Sequence, residues 1–334
     1  MVTIVFLTLL FNSLPGPALP SGCTETDSLT VRNAHAMTYD PDHGVVLLFG
    51  GADERQVLAD LWAWNGQEWH CLAEGGPPPR TFPALAYDRA RKRLMLFGGN
   101  RVLFGTAEDT NTFLDDMWAW NGEAWHQIHT KTPPARAEAG IAYDSERKRI
   151  VLFGGYRTLN GERIRLGDTW EWDGHRWEQM SSEGPSARNG AAMGYDVHRK
   201  RVVLFGGSGA SDETWEWDGK DWERIVSVQT EGRFNSTIAY DAGRRALIRF
   251  GGWTREGRVG DTWRYDRTQW TRLINDGPAA RNHTAMAYDS QRGIIVLFGG
   301  HDGERVFGDT WEWNGSTWSQ RTEGAPRLRV DNGH

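Results

Sequence analysis

The chain has 334 residues, a formal net charge of −6 and two cysteines. Charges of both signs are mixed along it, and no segment has the basic stripe that a nucleic-acid partner would require. We therefore expect no nucleic-acid partner. The two distant cysteines also lack the close ligand spacing of a zinc site.

The first 22 residues differ in composition from the rest. An apolar run over positions 2–11 precedes a stretch rich in Pro, Ser and Gly over positions 12–22. The run is too short to span a bilayer. It suits the hydrophobic region of a signal peptide, although no Lys or Arg precedes it. The sequence thus predicts a signal peptide or lipoprotein signal over 1–22, no membrane span, and a secreted, periplasmic or cell-surface protein.

The two cysteines, Cys23 and Cys71, allow two interpretations. Residues 19–23 resemble a degenerate lipoprotein box, which would put a lipid anchor on Cys23. Cys71 would then be a small apolar side chain on a strand. In an exported protein the two cysteines could instead form a disulfide.

One cassette recurs six times between residues 31 and 323. Each copy contains a Tyr-Asp pair, a Gly-Gly doublet eleven residues later, and then Trp-x-Trp-(Asn/Asp)-Gly-x-x-Trp, with one degenerate copy at residues 263–270. The doublets begin at Gly50, Gly98, Gly154, Gly206, Gly251 and Gly299. A repeat every 45 to 56 residues is typical of a stacked array.

Each cassette predicts four short antiparallel strands. In the last copy these are residues 285–288, residues 294–298, the strand of Trp311 and Trp313, and the strand of Trp318. The Asn-Gly or Asp-Gly between the third and fourth strands is a strong hairpin signal. Six such units predict an all-β, six-bladed β-propeller over 31–323. An N-terminal extension (23–30) and a C-terminal tail (324–334) complete the predicted organisation.

The Gly-Gly doublet, the following aromatic residue and the tryptophan of the fourth strand resemble the kelch family. The resemblance covers the chain after residue 30. More specifically, the motif Asp-Thr-Trp-Glu-Trp-Asp-Gly, together with Tyr-Asp and Leu-Phe-Gly-Gly, is similar to exported bacterial kelch proteins. It implies a six-bladed propeller whose first strands line a central channel. Kelch propellers serve as protein-binding modules, carbohydrate-active enzymes and copper oxidases, so the function has to be argued from the site.

The loops on one end of the blades vary in length, which makes that end the predicted functional face. An arginine precedes every cassette tyrosine there: Arg32, Arg80, Arg136, Arg188, Arg233 and Arg281. A carboxylate precedes every third strand: Asp60, Asp116, Asp168, Glu213, Asp261 and Asp309. The arginines could form a cationic ring for an acidic ligand, or six structural ion pairs with these carboxylates.

Positions that differ between blades are the other candidates. The predicted ligand contacts beside the arginines are Asn100, Tyr156, Trp253, His301, Asn189 and Asn282. Glu138 and His283 are the candidates for proton transfer. His35, His283 and His301 are weak candidates for a metal site.

These residues favour a binding module for a peptide segment or a glycan, and we predict a monomer. The alternative is a carbohydrate-active enzyme of the sialic-acid mutarotase type, in which arginines would hold an anionic sugar. A metal-dependent oxidase is the least favoured, because the Tyr-His pair of the galactose-oxidase site is absent from the sequence. No cofactor is predicted.

Overall fold

The structure is a computed structural model that describes residues 23, 28–103, 111–180, 183–208, 212–226, 231–266, 268–273 and 276–323. The predicted signal segment (1–22) and tail (324–334) lie outside the described residues. All regular elements within the described ranges are β-strands. No membrane-spanning helix occurs in this part of the chain.

The first three four-stranded sheets follow one another along the chain. Blade 1 contains β1 (Ala36–Asp40), β2 (Val45–Phe49), β3 (Leu61–Trp64) and β4 (Trp69–Ala73). Blade 2 contains β5 (Ala84–Asp88), β6 (Arg93–Phe97), β7 (Met117–Trp120) and β8 (Trp125–Gln127). Blade 3 contains β9 (Gly140–Asp144), β10 (Arg149–Phe153), β13 (Thr169–Trp172) and β14 (Trp177–Gln179), with a separate hairpin of β11 (Tyr156–Leu159) and β12 (Glu162–Arg165).

The other three sheets repeat this order. Blade 4 contains β15 (Ala192–Asp196), β16 (Arg201–Phe205), β17 (Thr214–Trp217) and β18 (Trp222–Ile225). Blade 5 contains β19 (Thr237–Asp241), β20 (Ala246–Phe250), β23 (Thr262–Tyr265) and β24 (Trp270–Leu273), with a short hairpin of β21 (Trp253–Thr254) and β22 (Gly257–Arg258). Blade 6 contains β25 (Ala285–Asp289), β26 (Ile294–Phe298), β27 (Thr310–Trp313) and β28 (Trp318–Thr322).

Neighbouring strands in every blade are antiparallel, and each blade takes its four strands from one stretch of chain. The prediction of an all-β propeller with six blades of four strands is confirmed. The first strands of adjacent blades contact one another around the ring, and those of blades 6 and 1 also meet. These six strands line the central channel.

The core lies between the blades, where the cassette tryptophans are buried. One cluster joins blades 6 and 1 and includes Trp62, Trp64 and Phe298. A fourth-strand indole donates a hydrogen bond to a third-strand threonine of the preceding blade in four places. These pairs are Trp69 and Thr310, Trp222 and Thr169, Trp270 and Thr214, and Trp318 and Thr262, at 2.8–3.0 Å.

The Gly-Gly doublets also tie each blade to the next. The amide of the second glycine donates to the carbonyl of the next blade's arginine, as from Gly51 to Arg80 at 2.9 Å. The bond from Gly300 to Arg32, also 2.9 Å, closes the ring. A side chain cannot replace the first glycine, because a Cβ on Gly154 would lie 2.5 Å from the carbonyl oxygen of Arg188.

Cys23 and Cys71 form a disulfide between the N-terminal segment and β4. Leu29, a few residues after Cys23, packs against the cluster between blades 6 and 1. A sulfur in a disulfide cannot also carry a thioether-linked lipid. Of the two interpretations of these cysteines, the structure therefore has the disulfide.

Arg249 departs from the pattern of the second strands. The five equivalent positions hold Leu48, Leu96, Leu152, Leu204 and Leu297. Arg249 is fully buried, with its guanidinium 4.0 Å from the ring centre of Phe205 and 4.6 Å from that of Trp270. Within the described residues its three nitrogens have no hydrogen-bond partner. Burial, together with the charge of Arg233, lowers the pKa of Arg249 well below its usual value.

We expect Arg249→Leu to stabilise the protein. Replacing buried ionic groups by well-packed apolar ones of similar size can raise the free energy of unfolding by about 1–4 kcal/mol, and cation–π contacts offset only part of the cost of burial. Urea denaturation of the variant and wild type measures the change. Arg264→Leu, at a half-exposed position of the same blade, is the control and should leave stability nearly unchanged. A less stable Arg249→Leu variant would contradict this prediction and show that the contacts with Phe205 and Trp270 more than offset the cost of burying the cation.

Candidate functional site

The two ends of the propeller differ in their connections. The loop face carries the links from second to third strands and between blades, including both extra hairpins. The turn face carries the short turns between first and second strands and between third and fourth strands. All ligand contacts predicted from the sequence lie on the loop face.

The six repeated arginines, one before each cassette tyrosine, are buried and paired with the six predicted carboxylates. In blade 3, Arg136 donates from Nη1 and Nη2 to the two carboxylate oxygens of Asp168 at 2.7 and 2.8 Å, and to the carbonyl of Gly154 at 3.0 Å. The guanidinium-bearing side chains are at most 1% exposed. Ligand contact by Arg32, Arg80, Arg136, Arg188, Arg233 and Arg281 stays a prediction.

The first tryptophan of the third strand completes each pair. In blade 3 the indole of Trp170 donates to Asp168 Oδ2 at 2.6 Å. Burial by itself would raise the pKa of Asp168, but the hydrogen bonds and charge of Arg136 hold it below its usual value. The carboxylate therefore stays ionised, and the pair fixes the loop before the third strand.

Two residues after each arginine, the backbone forms a ring around the channel mouth. These residues have left-handed φ values of 52° to 64°: Ala34, Phe82, Glu138, Gly190, Asn235 and His283. The amides of five of them, Ala34, Phe82, Glu138, Gly190 and Asn235, donate to the carbonyl of the equivalent residue one blade earlier, as from Phe82 to Ala34 at 2.7 Å. A Cβ on Gly190 would lie 2.0 Å from Asn235 Oδ1, which explains the glycine in blade 4.

Side chains from blades 2, 3, 4 and 6 meet inside this ring. Phe82 contacts His283 edge to face, with ring centres 4.9 Å apart. His283 Nε2 lies 3.9 Å from Glu138 Oε1, and the two side chains are 3% and 5% exposed. Asn189 donates its amide to Glu138, and its own Oδ1 accepts from Ser208 Oγ at 2.5 Å. These contacts close the channel at the loop face.

These contacting side chains form a floor across the channel mouth, and a cavity of about 160 Å³ lies on it. Its lining comes from blades 3, 4, 5 and 6: Glu138, Arg163, Asn189, Phe234, Asn235, Trp253, Arg258, Asn282, His283 and His301. The extra hairpins of blades 3 and 5 supply two of its walls, and we call it the loop-face pocket.

Each hairpin wall presents an arginine on an aromatic ring. Arg258 lies 4.2 Å from the ring centre of Trp253 and donates from Nε to Asn282 Oδ1 at 2.8 Å. Arg163 lies 4.3 Å from the ring centre of the buried Tyr156. Such stacking holds the plane of a guanidinium while its edges can still donate hydrogen bonds. The pocket thus combines two cations with aromatic surface and amide groups.

The two histidines of the pocket are neutral. Burial, with the charge of Arg258, lowers the pKa of His301 to about 4. Burial and the neighbouring His301 and Arg258 lower the pKa of His283 well below 6.5. Asn235 donates to His283 Nε2 at 2.6 Å, so the proton of His283 is on Nδ1 and points to His301 Nε2 at 2.9 Å. Positive charge in the pocket therefore comes from the arginines.

Six of the residues predicted from the sequence lie together in this pocket: Glu138, Asn189, Trp253, Asn282, His283 and His301. Sequence reasoning did not select Arg163, Arg258 or Phe234. The available signal for Arg163 and Arg258 was the aromatic residue on which each of them stacks, Tyr156 and Trp253, because an aromatic residue in a loop is a favourable partner for an arginine.

Three other candidates lie away from the pocket lining. Asn100 and Tyr156 are each 1% exposed, and their backbones pair with Thr81 and Ala137. His35 packs edge to face on Phe298, with ring centres 5.6 Å apart. Burial and the charge of Arg32 lower the pKa of His35 to about 3, which keeps it neutral. Metal binding by His35, His283 and His301 stays a prediction.

Comparison with known proteins agrees with the fold. The family described as the KLHDC2/KLHL20/DRC7 Kelch-repeats domain matches residues 22–207, more than half of the chain. Similar proteins include Mei4-dependent protein 6 of Schizosaccharomyces pombe, 26% identical over 54% of this chain and 29% of that protein. Dynein regulatory complex subunit 7 of Chlamydomonas reinhardtii is 32% identical over 42% of this chain and 13% of its own length.

Kelch domain-containing protein 2 of Mus musculus is 28% identical over 48% of this chain and 41% of its own length. The matched region thus spans less than half of each of these three relatives. Kelch propellers are typical protein-interaction modules. The family match and the six four-stranded blades together place this chain in the kelch-repeat family.

Proposed function

We propose that the loop-face pocket binds a peptide segment of a partner protein that carries an anionic group beside an apolar side chain. The observation that carries this proposal is the pair of arginines, Arg163 and Arg258, which both line one pocket and are each stacked on an aromatic ring. Guanidinium edges suit bidentate recognition of a carboxylate or phosphate. Trp253 and Phe234 supply the apolar surface, and buried aromatic and arginine side chains are typical interface anchors.

The size of the pocket supports recognition of a short segment. A cavity of about 160 Å³ can hold one or two side chains, so the rest of a bound peptide would lie across the loop face. The three asparagines of the lining, Asn189, Asn235 and Asn282, each bond a neighbouring side chain. Because a primary amide has two N–H donors and an oxygen with two lone pairs, each also has capacity for a hydrogen bond to a peptide backbone.

The alternative of a sugar mutarotase would use Glu138 and His283 for proton transfer. Both side chains are almost fully buried, and each already has a hydrogen-bond partner in the floor. A general acid or base must reach the substrate proton directly or through one water molecule. This arrangement favours a role for both residues in shaping the floor of a binding site. A glycan ligand would use the same arginines and the Trp253 ring.

The proposed location is extracytoplasmic, as a secreted or cell-surface protein. The disulfide between Cys23 and Cys71 supports it, because disulfides persist in oxidising compartments. The apolar segment over 2–11 also supports this location, because it suits the hydrophobic region of a signal peptide for export.

Peptide-display selection on the wild type tests the proposed function. We expect the enriched peptides to carry an acidic or phosphorylated residue next to an apolar one. Loss of an interface anchor costs about 2 kcal/mol or more, or ~30-fold in affinity. Arg258→Gln and Trp253→Ala should each weaken a selected peptide by that amount in calorimetry.

Arg55→Gln is the matched control, because Arg55 is an exposed loop-face arginine outside the pocket lining. It should leave affinity unchanged. Selected peptides that bind the Arg258→Gln and Trp253→Ala variants as tightly as the wild type would refute the pocket assignment. If instead an acidic monosaccharide binds and its anomers exchange faster, with loss of this activity in Glu138→Gln, the mutarotase alternative is correct.

A further inference from the structure

A second cavity opens on the turn face, at the other end of the channel. It measures about 240 Å³ and we call it the turn-face well. Its walls are the first strands of the blades, with apolar side chains such as Leu85, Ile141 and Met286. Ala86, Ala142 and Gly194 make room between them, because the equivalent wall positions in these blades carry little or no side chain.

The well is separate from the loop-face pocket. The backbone ring and the contacts of Phe82, Glu138 and His283 close the channel between them. None of the residues that line the well also lines the loop-face pocket. A ligand of the well would therefore enter from the turn face alone.

The six cassette tyrosines form a collar near the mouth of the well: Tyr39, Tyr87, Tyr143, Tyr195, Tyr240 and Tyr288. Several of their hydroxyls bond to the preceding blade. Tyr87 donates to Asp42 at 2.8 Å, Tyr143 accepts from the amide of Ala90 at 3.0 Å, and Tyr288 accepts from that of Gly243 at 3.1 Å. The collar is thus held in place through its polar ends, and its rings present aromatic surface to the well.

The rim beyond the collar is cationic on one side. Arg89 is exposed and is the one charged residue of the described lining. Three residues after Arg89 in the same turn, Lys92 of blade 2 pairs with Asp42 of blade 1 at 2.9 Å. The equivalent Lys200 of blade 4 pairs with Glu146 of blade 3. For Lys148 and Arg245, the positions equivalent to these two carboxylates hold Ala90 and His198, which are not acidic. This leaves positive charge beside an apolar opening, although the chain as a whole is acidic.

We infer that the turn-face well is a binding site for a small organic anion, a carboxylate with a compact apolar body. The apolar body would fill the aromatic and aliphatic well, and the carboxylate would stay at the rim near Arg89. The cavity is smaller than the roughly 300–1,000 Å³ of drug-sized sites, which limits the body to about one ring. This inference does not depend on the peptide site of the loop face.

Calorimetry of the full chain with cyclohexanecarboxylate as the probe tests the inference. We expect saturable binding, weaker binding of the uncharged cyclohexanecarboxamide, and no binding of acetate, which lacks the apolar body. An exposed charge pair is worth up to about 1 kcal/mol, so Arg89→Gln should weaken the probe by about fivefold. Ala142→Phe fills the well and should abolish binding.

A second blocking variant, Val197→Trp, covers the mouth from a position that is 41% exposed, so it does not depend on how the wall tolerates a larger side chain. Trp253→Ala and Arg55→Gln are controls on the loop face and should bind the probe like the wild type. Absence of saturable binding to the wild type would overturn the inference. So would binding that survives Val197→Trp, or equal affinity for the carboxylate and the amide.

Discussion

Asp168→Ala is expected to lower the free energy of unfolding by about 3–5 kcal/mol, because removal of one partner of a buried ion pair leaves the other charge uncompensated. Arg136 is 1% exposed, and two of its bonds go to Asp168. The indole of Trp170 loses its acceptor in the same variant. Chemical denaturation, with the transition followed by tryptophan fluorescence, measures the loss.

Two comparisons separate this effect from a general response to lost charge. Glu146→Ala removes an ion pair with Lys200 in which both side chains are more than half exposed, and should cost at most about 1 kcal/mol. Arg136→Met combined with Asp168→Leu removes both buried charges and should recover much of the stability. If Asp168→Ala costs no more than Glu146→Ala, the repeated pairs do not stabilise the fold.

The second large effect is expected from the disulfide. Cys71→Ser should lower stability by about 4 kcal/mol, the chain-entropy value for a closed loop of this size, with a sequence separation of 48. The bond ties the N-terminal segment to β4, and Leu29 of that segment packs on the cluster between blades 6 and 1. Thermal and chemical unfolding under oxidising conditions measure the change.

Cys23→Ser and the double variant provide the internal check on this prediction. If both cysteines act only through one bond, the three variants lose the same stability, and reducing agent affects only the wild type. A wild type that unfolds identically with and without reductant would contradict the assigned bond.

The fold could be predicted from the sequence because the residues that make the contacts between and within blades recur in six cassettes. The Gly-Gly doublet recurs since a Cβ on its first residue would strike the next blade's arginine carbonyl, as at Gly154. The Trp–Thr bond recurs in four places because a buried indole N–H is stabilised by an acceptor in the preceding blade, as that of Trp222 is by Thr169. The arginines and carboxylates were predicted as matched sets for the same reason, and the pairs are present.

The site was predictable only in part. Residues that break the repeat at fixed positions, such as Glu138, Trp253 and His283, could be recognised against the other blades, and they meet in one pocket. Arg163 lies in a loop whose length no other blade shares, so the sequence offered no equivalent position for comparison. Arg258 is equivalent to Val57 and Val306, which bridge to Ala52 and His301 as Arg258 pairs with Trp253, so a comparison between these loops could have found it. The contact between Glu138 and His283 crosses the channel, and linear spacing carries no information on such a contact.

Hydrogen exchange of the full chain, free and bound to a selected acidic peptide, tests the central claim most directly. The claim is that this kelch propeller binds its partner on the loop face, between the hairpins of blades 3 and 5. The account predicts slowed exchange in β11–β12 and β21–β22, with the turn-face residues 41–44 and 89–92 unchanged. Slowed exchange at the turn face, with both hairpins unaffected, would contradict it.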